Sequence, residues 1–245
     1  MTAQYNMILV VLSYLISVLG SFTSLQLAIA IPQARPGREK RNAILAAGTA
    51  MGGGAIWAMH FIAMLAYEMP MPVAYDTFIT LVSALIAIAS CSIGLAIAGS
   101  GVFSVDKLLP AGIFMGCGVA GMHYTGMAAM LMPAEVYYDL NILMISVVIG
   151  VLASCAALWL AFHMRGQRQM FGSALIMGMA VCGMHYTGMA AANYRHTGNI
   201  QEATFAGAMS GEYLGLSIFV ISVALLMFAL WITQARRRRR ASLAI

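Results

Sequence analysis

Charge is what this sequence has least of: 9% of its 245 residues are Asp, Glu, Lys or Arg, against 62% hydrophobic. A water-soluble domain of this length needs a charged surface, so the composition excludes one and assigns the chain to the membrane. Cysteine is scarce as well. Cys91, Cys117, Cys155 and Cys182 all lie in apolar runs with no CxxC spacing, which excludes a disulfide framework and leaves ordinary buried thiols. No carboxylate or amine falls inside the apolar runs, which counts against an ion-conducting path.

What is present is seven apolar runs of membrane-spanning length, roughly 7–31, 42–67, 77–99, 108–132, 141–163, 170–192 and 213–233. Asn42 is a candidate N-cap for the second, and Pro32 ends the first. Between the runs, Arg35, Arg38, Lys40, Arg41, Lys107, Arg165, Arg168 and Arg236 through Arg240 fall on one side, and Arg195 alone on the other. Glu68, Asp76, Glu135, Asp139, Glu202 and Glu212 lie opposite the basic side, with Glu39 and Asp106 on it. The positive-inside rule predicts an outer N-terminus and a cytoplasmic C-terminus. No basic segment precedes Ala28-Ile29-Ala30, so the first run reads as a retained span rather than a cleaved leader. The five-Arg run reads as an anchor on anionic headgroups, not a nucleic-acid site.

One phrase recurs. Residues 59–64 read MHFIAM, and 122–127 and 184–189 both read MHYTGM. Their histidines, His60, His123 and His185, are 63 and 62 residues apart, the mark of internal repetition. The third and fifth runs share ASC at similar distances before the motif, Cys91 and Cys155 standing 32 and 30 residues ahead of the next motif His. The fold predicted is an all-α integral membrane protein with seven transmembrane helices, built from three helical-hairpin repeats plus a seventh helix. Because the motif runs are the second, fourth and sixth, they are parallel, and their histidines share one depth. His60 precedes Tyr67 by seven residues, roughly 10 Å below the outer end.

On a helix, i and i+4 share a face, so His60 aligns with Met64, His123 with Met127 and His185 with Met189. Met59, Met122 and Met184 are turned about 100° away. A membrane-embedded His is buried in protein, faces water or binds something. Neutral imidazole suits Zn, Cu, Fe or Ni, and thioether selects Cu(I), so the combination favours copper, with the three histidines and Met64, Met127 and Met189 as candidate ligands, and with Met59, Met122 and Met184 open to either ligation or packing. Cys182 precedes His185 by three, but the matching positions are Trp57 and Ala120, which excludes a Cys ligand common to all copies. Gly48 and Gly52, and Gly112 and Gly116, have the four-residue spacing that lets helices approach. Tyr124 and Tyr186 are placed to orient ligands or to anchor at the interface. His163 reads as interfacial and His196 as an outer-loop residue.

These motifs near the outer ends of alternating spans resemble the MHYT domain, a bacterial membrane sensor module carrying three such phrases, and the resemblance covers about residues 5–235. It implies a seven-span input domain over residues 1–235, followed by a basic cytoplasmic tail at 236–245, in the bacterial inner membrane. It further implies copper held by the motif Met and His residues, sensing of O2, CO or NO, and signalling to a cytoplasmic output such as cyclic-di-GMP turnover. The first copy departs from the pattern with Phe61 for Tyr and Ile62 for Thr, yet keeps His60, Met59 and Met64. The input domain is expected to be no enzyme itself, whether excised or stand-alone. Two other classes compete: a copper-handling or transport protein, and a haem- or metal-dependent membrane enzyme. Zinc and haem are the less favoured cofactors.

Overall fold

The computed structural model describes residues 4–69, 71, 73–196 and 208–242. Glu202 and the side chains of His196, Glu212 and Arg236 through Arg240 lie outside that description. Seven helices have the length and composition of membrane spans: α1 (Met7–Ala28), α2 (Arg38–Ala66), α3 (Thr77–Ala98), α4 (Val105–Ala128), α5 (Leu140–His163), α6 (Gln167–Ala191) and α7 (Gly211–Ser242). The chain is thus an all-α multi-pass membrane protein. Boundaries move by a few residues: α1 ends at Ala28, before Pro32, and α2 starts at Arg38, not at Asn42. Gly37, at φ 97°, supplies the left-handed turn before it, a conformation open to glycine at little cost.

From α1 to α6 each helix packs on the next, and α6 packs back on α1, so six helices close a ring with α7 outside against α2 and α1. Lipid tails are as apolar as the helix faces, so this ring is held by close packing rather than by the hydrophobic effect. Small residues allow it. Gly52 of α2 sits against Ala87 and Ile88 of α3, Gly116 of α4 against Val151 of α5, and Gly178 of α6 against Val18 of α1. The glycine pairs singled out in the sequence therefore seat α2 on α3 and α4 on α5. They do not bring the motif helices together, because a four-residue row occupies one helix face and that face looks along the ring.

At the end of the bundle where the motif helices finish, each hairpin is stitched shut in the same way. Strand β1 (Gln4–Tyr5) pairs with β2 (Tyr67–Glu68), β3 (Ala74–Asp76) with β4 (Met130–Leu131), and β5 (Ala134–Tyr138) with β6 (Ala192–His196), all antiparallel. A further strand, β7 (Ala208–Ser210), adds to β3. The residue at the junction of each first strand with the following helix caps that helix. Asn6 accepts from the Ile8 and Leu9 amides, Asp76 from Ile79, and Asp139 from Asn141 and Ile142. The same residues donate their own amides to the last turns of the motif helices, Asn6 to Ala66, Asp76 to Ala129 and Asp139 to Ala191, at 2.8, 2.8 and 2.9 Å. Losing a cap costs typically about 1 kcal/mol. Asp139→Ala is expected to lower the unfolding midpoint of the detergent-solubilised protein, and a midpoint equal to wild type would mean that water replaces the carboxylate there.

Candidate metal centre

The motif histidines come from α2, α4 and α6, roughly 9 Å before the C-terminal end of α2 at about 1.5 Å per residue. All three are buried, at 0%, 1% and 1% exposure. Their rings form a propeller, with centroids 4.9, 5.0 and 5.1 Å apart and planes at 77°, 77° and 87°. The Nδ1 atoms turn inward. His60 Nδ1 lies 3.0 Å from His185 Nδ1 and 3.2 Å from His123 Nδ1. A neutral imidazole has one donor and one acceptor nitrogen, so three converging Nδ1 atoms cannot all pair with one another.

The outward Nε2 atoms have no hydrogen-bond partner among the described residues. Histidine ligands of metals ordinarily take an outer hydrogen bond that sets the ring; here packing does that work. His60, His123 and His185 stand edge-on to Phe61, Tyr124 and Tyr186 at 4.8, 4.7 and 4.9 Å. On the other side His60 Nε2 presses on Gly126 and His123 Nε2 on Gly188, where a Cβ would overlap the ring. These are the glycines of MHYTGM, so the motif Gly of one repeat houses the His of the preceding repeat. In the first repeat the corresponding residue is Ala63.

A second threefold set went unremarked in the sequence. Tyr5-Asn6, Tyr75-Asp76 and Tyr138-Asp139 each precede an odd span, with Ser13, Ser83 and Ser146 seven residues after the cap. The tyrosines cover the motif aromatics edge-on: Tyr5 on Tyr186 at 5.6 Å, Tyr138 on Tyr124 at 5.3 Å and Tyr75 on Phe61 at 5.7 Å. Burial, with Tyr67 and Tyr186 adding, pushes the Tyr5 hydroxyl up to about 12. Burial also raises Tyr75, Tyr138 and Tyr194, so the lid is uncharged at neutral pH. The serines meet the motif hydroxyls, Ser13 Oγ at 3.3 Å from Tyr186 and Ser146 Oγ at 2.7 Å from Tyr124. Where Phe61 has no hydroxyl, Trp57 Nε1 donates to Ser83 Oγ at 3.0 Å instead. The Tyr-Asx-x6-Ser spacing was available in the sequence; polar residues at loop-helix junctions draw less notice than histidines.

The six candidate methionines are all buried but do not form one shell. Met59, Met64, Met127 and Met189 pack in the apolar cluster nearer the strands, Met122 and Met184 in the one at the middle of the bundle. One turn inward of the histidines stand Ile56, Val119 and Val181, and beyond them Met51, Met115 and Met177, all lining a cavity of about 20 Å³. Met51 precedes its His by nine residues and the others by eight. The extra residue is absorbed by a π-helical segment, Ala50–Trp57, of the kind frequent at functional sites. His163 is exposed and stacks on Trp159, as an interfacial residue does.

The donor set fits a metal ion. A ring nitrogen stands about 2.0 Å from a bound first-row ion, which puts neighbouring donors roughly 3.3–3.5 Å apart, and an opening of a few tenths of an ångström would bring these nitrogens there. A cation at the centre satisfies three acceptors that otherwise face one another. Fold and site together define a polytopic membrane protein with a buried triple-imidazole group near the strand-bearing end of its helix bundle. A family profile described as "MHYT: Bacterial signalling protein N terminal repeat" matches residues 53–111, 116–174 and 178–245, and the chain belongs to that family. Its repeats are counted from the motif span onward, one helix out of phase with the stitched hairpins. In Pseudomonas aeruginosa, the bifunctional diguanylate cyclase/cyclic di-GMP phosphodiesterase MucR is 39% identical over 99% of this chain and 36% of its own length. The cyclic di-GMP phosphodiesterase NbdA of that organism is 35% identical over 76% of this chain and 24% of its own. The signaling protein YkoW of Bacillus subtilis is 32% identical over 78% and 24%. The chain spans about a quarter to a third of the length of these curated relatives. No solved structure matches it.

Proposed function

We propose that this region is the input domain of a cyclic-di-GMP signalling protein. In this reading His60, His123 and His185 hold a copper ion, and a diatomic gas, O2, CO or NO, is sensed there from the outer side. The observation that carries the reading is the convergence of three buried Nδ1 atoms, with no carboxylate in their group among the described residues. Imidazole beside thioether favours copper over zinc. Bis-imidazole haem needs its two nitrogens on opposite faces of a porphyrin, whereas these three point to one spot, which supports an ion. The apolar layer of Ile56, Val119 and Val181 beneath it favours sensing over conduction.

When bound, copper supplies a coordination position for the gas, and the residues of the chain do the rest. The Tyr lid and strand pairs restrict access from outside. Gly126 and Gly188 make ring position sensitive to helix position. Helix α7 touches α2 on both sides of His60, Gly215 against Leu65 above and Leu226 against Gly54 below, and continues unbroken to Ser242. A displacement of α2 is thereby handed to α7 and to the basic tail, residues 236–245, which lies on the cytoplasmic side with the N-terminus outside. Met64, Met127 and Met189, with Met59, Met122 and Met184, complete the soft surroundings.

Elemental analysis with absorption spectra of oxidised and reduced protein tests this. The expected result is bound copper in wild type and none after substitution of all three histidines by Ala. Metal-free wild type, or unchanged metal in the triple variant, would overturn it.

A further inference from the structure

Above the histidine layer lies a partly open pocket of about 380 Å³, and half of its lining side chains are methionines. Met64 and Met189 form its floor, one turn outward of His60 and His185. Met130 lines it from the end of α4, and Met69 and Met71 from the loop after α2. The floor residues have packing roles, being nearly fully buried. Met69 and Met71 are partly exposed, so filling a core does not explain them. Each precedes a proline, Pro70 or Pro72, which biases it to extended backbone. Both side chains line this pocket.

Thioethers are neutral, soft donors that select Cu(I) over the hard cations of the surroundings. An ion here also avoids the cost of burial: near the outer surface it keeps water while exchanging one ligand at a time. From the structure we infer that this pocket is a capture site for a soft monovalent ion, Cu(I) or its surrogate Ag(I). Met69 and Met71 take the ion first, and Met64 and Met189 pass it to the histidines below. The delivery half of this inference rests on the copper reading above; the capture half does not.

Full-length protein in lipid nanodiscs, labelled with 13C at the methionine methyls, is titrated with Ag(I). The Met69 and Met71 methyl resonances are expected to shift first, and to shift equally in a His60→Ala, His123→Ala, His185→Ala variant. Cu(I) delivered from a chelator is expected to load Met69→Leu/Met71→Leu at least tenfold more slowly than wild type, with the same final metal content. Leu keeps the side-chain volume and the loop is exposed, so the fold is retained. Absent Ag(I) shifts at Met69 and Met71, or an unchanged loading rate in the double variant, overturns the proposal. Normal Ag(I) shifts in a protein whose histidines take no metal would support capture while overturning the function proposed for the centre.

Discussion

Gly126→Ala is expected to lower metal affinity at least tenfold while leaving every histidine in place. The added Cβ would fall on the Nε2 edge of the His60 ring, and that ring cannot retreat, because Phe61 stands edge-on at 4.8 Å. Overpacking of this kind costs typically about 1–3 kcal/mol, and loss of the outer contacts that orient a ligand typically costs about 10–100-fold in affinity. Gly188→Ala acts in the same way on His123. Gly121→Ala is the control: it lies on the same helix as Gly126, yet its Cβ would meet only Ile86, at 3.9 Å. Equilibrium metal titration of the three variants checks the prediction. Wild-type affinity in Gly126→Ala would show that ring position is set elsewhere.

Metal is expected to stabilise wild type strongly and His60→Ala hardly at all. An ion that binds only the folded state adds about 2.7 kcal/mol at 100 times its dissociation constant. His60 is the nitrogen donor nearest both others, at 3.0 and 3.2 Å, so its removal leaves two ligands and weakens binding most. Thermal unfolding with and without Cu(I) reads the increment directly. Equal increments in wild type and His60→Ala would place the ion outside the triad.

Much of this protein could be read from one dimension. Seven spans, alternating motif helices and matched His depth follow from hydropathy and from a phrase repeated at 63 and 62 residues, because the period of a helix and the thickness of a bilayer are fixed quantities. Other features were hidden by offsets between repeats. Met51 falls out of register with Met115 and Met177 until the π-helical segment restores it. Trp57 reads as a mismatch with Ala120 and Cys182, yet it supplies the hydrogen bond to Ser83 that Phe61 lacks the hydroxyl to make. The glycine rows of α2 and α4 suggested helix approach correctly, but not toward which neighbour.

By itself, then, the sequence determined the membrane setting, the number of spans, the threefold repeat and the identity of the three imidazoles, since all of these are local or periodic properties of the chain. Only the tertiary structure decided that the Nδ1 rather than the Nε2 atoms converge, that the motif glycines house the histidines of a neighbouring repeat, and that the Tyr-Asx junctions close over the site. Those outcomes depend on which faces of separate helices meet when six of them close a ring, and that closure is a property of no single segment.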